Sequence, residues 1–163
     1  MSDTESHAQF FPENETLRLT ADGIWYSDST EITHVGTLQL FGRSIVRKAG
    51  TELPLQYHLV VGRETKEVFV EDTAFFVTRV DRSGSGAYRL HLTDGTQMDL
   101  GVRDLAFRPP NRLTSAIRGG AETARFCRNA YHDILKDLEQ DAGGYFLQIA
   151  STKVYLDSSS ITP

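Results

Sequence analysis

Apolar and polar residues alternate along Leu17-Arg18-Leu19-Thr20, which predicts a half-buried strand, and Ala21-Asp22-Gly23 turns it back into Ile24-Trp25-Tyr26. Ser27 to Glu31 reads as a short polar loop. The period then changes. Val35, Leu38, Phe41 and Ile45 recur at helical spacing with Val46 beside them, predicting a helix from His34 to about Lys48. Thr33 is its expected N-cap, Gly50 its stop, and Pro54 prevents it from resuming. Tyr57–Val61 and Val68–Val70 read as strands around a charged turn, Arg63–Lys66. Ala74–Val80 is a further strand, and Ser83-Gly84-Ser85-Gly86 turns it into Tyr88–Leu92. A second helix is expected from about Ala121 to Gln140, with Ala124, Cys127, Tyr131, Ile134, Leu135 and Leu138 as its apolar stripe and Gly143-Gly144 as its end. Tyr145–Ile149 and Val154–Asp157 close the chain as strands around Ser151-Thr152-Lys153.

The pattern repeats. Leu90-His91-Leu92-Thr93-Asp94-Gly95 restates Leu17–Gly23 with one residue removed, and the last strand pair matches Tyr57–Glu71. The order hairpin, helix, hairpin thus occurs twice, as expected for an α+β protein of two repeated strand–helix–strand units. Each unit is expected to have a mainly antiparallel sheet and one main helix, and the two to share a core. The boundaries read as a flexible tail over 1–12, a first unit over 13–80 and a second over 81–163. The segment Val102–Gly120 has no counterpart in the first unit and reads as an insertion.

Composition narrows the class. The 163 residues are 39% hydrophobic with nine Phe, six Tyr and one Trp, enough for a core without metal or disulfide staples. A single cysteine, Cys127, forbids an internal disulfide. The polar, acidic first residues do not read as a signal peptide, and no apolar run nears the ~20 residues that cross a bilayer. The expected setting is cytoplasmic, away from membranes. A net charge of −5 argues against general nucleic-acid binding, which needs a basic face.

Two sets of residues carry a family resemblance. In the first half they are Asp22-Gly23-Ile24-Trp25-Tyr26, Leu40-Phe41, Tyr57-His58-Leu59 and Val70-Glu71-Asp72-Thr73-Ala74-Phe75. In the second half they are Ile117-Arg118-Gly119-Gly120-Ala121-Glu122, Arg128-Asn129-Ala130-Tyr131, Leu135 and Tyr145-Phe146-Leu147. Through them the whole chain resembles the bacterial family catalogued as domain of unknown function 1285. The resemblance implies two repeated α+β motifs around a shared core, and the role suggested for the family is in signal transduction. It transfers no catalytic residue, because the matching positions are turn glycines and core aromatics. Ala74 stands where the family has Pro, and residues 99–112 depart from its pattern.

Candidate chemistry is sparse. His7, His34, His58, His91 and His132 make no i, i+4 pair and no HExxH, so no zinc site, other metal site or cofactor is expected. Cys127 on the apolar stripe reads as a buried, inert thiol. Asp22-Gly23 and Asp94-Gly95 are explained by turn chemistry, and Gly84-Ser85-Gly86 lacks the rest of a phosphate loop. No catalytic residue is assigned.

One constellation stands out. Arg103, Arg108, Arg112, Arg118, Arg125 and Arg128 are opposed only by Asp104 and Glu122, so this stretch is +4 while the rest of the chain is −9. Arg118-Gly119-Gly120 also leads into the expected second helix, whose first turn would attract an anion. Arg112, Arg118, Gly119, Gly120, Arg125 and Arg128 are the candidate binding residues for a small anionic ligand or an acidic protein segment. Pairing with the chain's 22 acidic residues is the competing reading of the same arginines. Two functions follow. The favoured one is a non-enzymatic binding or regulatory module. The alternative is a small enzyme with a site between the lobes, drawing on His91, His58, Tyr131 and the arginines. Monomer and homodimer both fit, since Ala74-Phe75-Phe76-Val77 suits a central strand or a pairing edge.

Overall fold

A computed structural model describes residues 9–49 and 56–156; Gly50, Pro54, Asp157 and His7 lie outside the described residues. The chain divides into two compact units between Asp72 and Thr73.

The first unit contains β1 (Leu17–Leu19), β2 (Trp25–Ser27), β3 (Thr30–Glu31), α1 (Val35–Ser44), β4 (Ile45–Arg47), β5 (Tyr57–Val61) and β6 (Glu64–Val70). Its six strands form one sheet in the order β3-β2-β1-β6-β5-β4. All neighbours are antiparallel except β1 and β6, which run parallel with Leu17 opposite Val68. Leu17, Leu19, Trp25, Ile45, Tyr57, Leu59 and Val68 are buried. Phe41 of α1 joins them, its ring 5.1 Å from that of Trp25.

Several boundaries differ from the sequence reading, each for a local reason. The loop over Ser27–Glu31 contains β3, which pairs Glu31 with Tyr26. The N-cap of α1 is His34, not Thr33: its Nδ1 accepts the Thr37 N–H at 3.2 Å in place of a hydroxyl. The helix stops at Ser44 because Ile45 turns extended, and the β-branched pair Ile45-Val46 continues as β4 against β5. The β5–β6 turn is Gly62-Arg63, so Glu64 already lies in β6. Residues just ahead of 13 pack on this unit. Phe11 is buried 6.3 Å from Phe41, and the Glu64 carboxylate accepts the N–H groups of Phe10 (2.7 Å) and Phe11 (3.3 Å).

The second unit contains β7 (Phe75–Arg82), β8 (Tyr88–Leu92), β9 (Gln97–Asp99), β10 (Leu105–Arg108) and β11 (Arg112–Ile117). A 3-10 turn at Arg118–Gly120 leads to β12 (Glu122–Phe126), α2 (Arg128–Leu135), β13 (Glu139–Asp141), β14 (Gly144–Ile149) and β15 (Thr152–Tyr155). Its six-stranded sheet runs β10-β11-β12-β7-β8-β9, and again one central pair is parallel, with Ala124 opposite Phe75. β7 is therefore central, which explains aromatics on both its faces. Helix α2 lies against β7 and β12 and buries Ala130 and Ile134. β13, β14 and β15 form a separate antiparallel sheet, tied to the β7–β8 turn by the Ala150 N–H bonding the Gly86 carbonyl at 3.2 Å.

The expected helix over Ala121–Gln140 is reduced to Arg128–Leu135. Glu122, Ala124 and Phe126 point inward while Thr123 is exposed and Arg125 half-buried, which is strand period, and β11 and β7 pair with it on either side. Cys127 becomes the N-cap of α2, half-buried, its thiol donating to the Thr78 carbonyl at 3.6 Å. Gly143-Gly144 belongs to the β13–β14 hairpin instead of ending a helix. Ala150-Ser151 makes the β14–β15 turn. Val102–Gly120 is not an unmatched insertion: it supplies β10 and β11, which hold the sheet positions that β4 and β5 hold in the first unit. The architecture is α+β, with two similar six-stranded sheets.

Phe41 and Val35 separate core from surface on one predicted stripe. Val35 is 65% exposed, whereas Phe41 is buried. Phe41→Ala is expected to destabilise the chain by about 3–5 kcal/mol and Val35→Ala by no more than about 0.5 kcal/mol, measured by urea denaturation.

Tyr88 gives a pH test. Its hydroxyl donates to Asp137 at 2.9 Å, and burial, then that carboxylate, pushes the phenol up to about 12. A raised phenol stabilises the fold below its unfolded value of 10 and loses that contribution as pH rises to about 12. The stability gap between the natural chain and Tyr88→Phe should shrink across that window.

Candidate functional site

β10, β11 and β12 form a meander whose register decides which arginines meet. Leu105 and Phe107 are half-buried, while Ala106 and Arg108, which alternate with them, are exposed. Across the ladder Arg108 stands directly opposite Arg112 and Ala106 opposite Thr114. Thr114 in turn stands opposite Arg125. Arg108, Arg112 and Arg125 therefore project from one face of the sheet. Directly opposed like charges destabilise a strand pair. The only acid on these three strands, Glu122, stands opposite Ile117 on the other face.

The continuation of that face is different. On β7–β9 it carries Arg79, Asp81, His91, Arg89 and Asp99, in alternating sign. His91 Nε2 donates to Asp81 at 2.6 Å, and Arg79 lies 3.2 Å from the same carboxylate and 3.1 Å from the ring nitrogen. The bond from His91, followed by the Arg79 charge, holds the Asp81 carboxyl below the usual carboxylate range despite partial desolvation. Arg89 pairs with Asp99 at 3.2 Å. One half of the face is charge-balanced, whereas strands β10–β12 contribute arginines and no acid to the other.

The candidate residues distribute unevenly over this frame. Arg118 sits in the 3-10 turn at φ 51, its guanidinium 3.0 Å from Asp94 Oδ2 and stacked 4.4 Å from the centre of the buried Phe75 ring. The Asp94 side chain is only 6% exposed, against 48% for Arg118, and its other oxygen accepts from the Thr96 N–H and hydroxyl. Arg118 thus has an internal partner. Gly119 and Gly120 have φ values of 65 and 89 and lead into strand β12, so the expected attraction of a helix start is absent there. Arg128 is exposed as the first residue of α2, and Arg103 is exposed ahead of β10. Arg112 and Arg125 each hold a further partner within the chain; Arg108 makes no ion pair among the described residues.

The other candidates belong to other elements. His58 faces outward on β5 beside an open trough of about 790 Å³ in the first unit, with Lys48, Glu67 and the 63% exposed Phe69. Tyr131 is on α2, its ring edge-on to His132. Among the described residues no group of His, Cys, Asp and Glu could hold a metal. No described helix is long and apolar enough to cross a membrane. Sequence reasoning left out Arg108 as a ligand; the signal was the alternation of Leu105-Ala106-Phe107-Arg108 ahead of Pro109-Pro110.

Two mixed six-stranded sheets, each containing one parallel pair and accompanied, among the described residues, by one α-helix, define a class of repeated α+β proteins. Two solved structures share this fold, and both are DUF1285 family proteins. That from Silicibacter pomeroyi DSS-3 aligns with a TM-score of 0.64 at 19% identity, over 88% of this chain and 80% of its own. That from Shewanella baltica OS155 aligns with a TM-score of 0.55 at 16% identity, over 77% of this chain and 94% of its own. At these identities the likeness is one of fold, and it agrees with the resemblance carried by the sequence. No family model matches the chain, and no curated protein matches it.

The internal pairing of Arg118 is testable. Arg118→Ala leaves the shielded Asp94 carboxylate without its guanidinium and is expected to cost about 1–3 kcal/mol. Arg108→Ala should change stability by no more than about 0.5 kcal/mol. Denaturant midpoints of the two variants, measured side by side, check this.

Proposed function

We propose that this chain is a non-enzymatic regulatory module of the DUF1285 type, which binds an anionic group on the arginine face of β10–β12. The observation that carries the reading is the register, which sets Arg108 opposite Arg112 with Arg125 on the same face and no acid of those strands beside them. Guanidinium forks suit carboxylate and phosphate oxygens. Arg112 and Arg125 keep their partners in the chain, so the ligand adds to an existing network and Arg108 is its new contact. The site moves from the Arg118-Gly119-Gly120 turn, which Asp94 occupies, to the strands on either side of it.

Thermal denaturation of the full chain against phosphate, nucleotides and dicarboxylates tests the proposal. A ligand at ten times its Kd adds about 1.4 kcal/mol, which raises the midpoint by about 3–6 °C. The rise should fall with added salt and be lost in Arg108→Ser. No rise at millimolar ligand, or the same rise in Arg108→Ser, overturns the reading.

A further inference from the structure

β10 is the outer strand of its sheet, and the phase of its ladder fixes where its backbone groups point. The Ala116 N–H bonds the Asp104 carbonyl at 2.9 Å, and residues 104 and 116 are opposite each other in the β10–β11 register. In an antiparallel ladder the bonded positions alternate, so Ala106 and Arg108 also face β11. The N–H and C=O groups of Leu105 and Phe107 then point away from it, to the open edge. Among the described residues nothing pairs with them.

The side chains around this edge select a partner. Leu105 and Phe107 are half-buried on the core side, and Arg108 is exposed on the arginine face. Arg103, just before the strand, is exposed and has no ion pair among the described residues. A second copy pairing antiparallel, edge to edge, would continue the sheet with its faces kept, and would put both copies of the exposed Arg108 on one surface. That repulsion guards the edge against self-association. A strand of opposite charge meets no such penalty.

We infer that β10 accepts an extended acidic protein segment as an added strand. This deepens the anion-binding reading and rests on it. The segment bonds to the Leu105 and Phe107 backbone groups, sets acidic side chains beside Arg108 and apolar ones beside Leu105 and Phe107, and ends where Pro109 offers no N–H. Backbone bonds supply affinity and the alternation supplies selectivity.

The test is fluorescence anisotropy of the full chain with a labelled peptide of alternating Glu and Val. Two control peptides accompany it, one with Gln for Glu and one N-methylated on the amides that would face β10. The Glu/Val peptide should bind and slow hydrogen exchange at the Leu105 and Phe107 amides. Affinity should drop roughly ten-fold or more for the N-methylated peptide, for the Gln peptide and for Arg108→Ser. Equal affinity for the N-methylated peptide overturns strand addition. If phosphate still stabilises the chain and Arg108→Ser still removes that effect, the anion site stands without the strand. If neither peptide nor phosphate binds, both readings fall. A homodimer in light scattering whose edge amides are protected without peptide also overturns the inference.

Discussion

Each six-stranded sheet depends on one parallel pairing. In the first unit β1 meets β6 through Leu17–Val68 and Leu19–Val70, and in the second β7 meets β12 through Phe75–Ala124 and Val77–Phe126. A parallel pair cannot be closed by a tight turn, so everything between its strands serves as the crossover. In the first unit that crossover includes α1; in the second it is built of strands and the 3-10 turn at Arg118–Gly120. The first and last strands thereby become central, and Leu17, Leu19, Phe75, Val77, Ala124 and Phe126 are buried. The outermost strands are β3, β4, β9 and β10. The cationic meander runs from that joint, where β12 pairs with β7, out to the sheet edge at β10.

Local chemistry was legible in the sequence, and pairing partners were not. Three hairpin turns share one bonding scheme: Thr20 with Ile24, Ser83 with Ala87 and Leu92 with Thr96, each closed by Gly23, Gly86 or Gly95 at φ of 81–85. The match of Leu17–Gly23 to Leu90–Gly95 is therefore real as turn chemistry. It misframes the repeat, however, because sheet position equates β1–β2 with β7–β8. The start of α1 was readable within a residue, but its end was not, since Ile45 obeys a partner strand a dozen residues on. Glu122–Phe126 was hidden for a related reason. Its alternation contains a charged residue on the inward face, where Glu122 is buried, and a helical period fitted the visible apolar residues equally well.

The site was legible as a density of arginine and illegible as a geometry. Sequence spacing could not reveal that Arg118 reaches Asp94 across 24 positions and covers Phe75. Nor could it reveal that Arg108 and Arg112 become neighbours through the turn at Pro109-Pro110-Asn111. Gly119-Gly120 resembled a helix entry because positive-φ glycines serve strand entries just as well. Register, a non-local property, set three of the six arginines, Arg108, Arg112 and Arg125, on one face and left Arg118 to Asp94.

The contrast between the halves of that face bears directly on function. Over β7–β9 each cation has an anion within bonding distance, as folding alone would arrange it. Over β10–β12 the same surface carries three guanidinium groups and no acid of its own strands. Near solvent this arrangement costs little, because water and salt screen exposed charges to within about 1 kcal/mol. The cost changes when a ligand or a strand covers the face and lowers the local dielectric, for then Arg108, which has no ion pair among the described residues, is expensive unless it is matched. On the proposed reading, such a face discriminates by charge at the moment of binding, and needs no movement of the sheet beneath it.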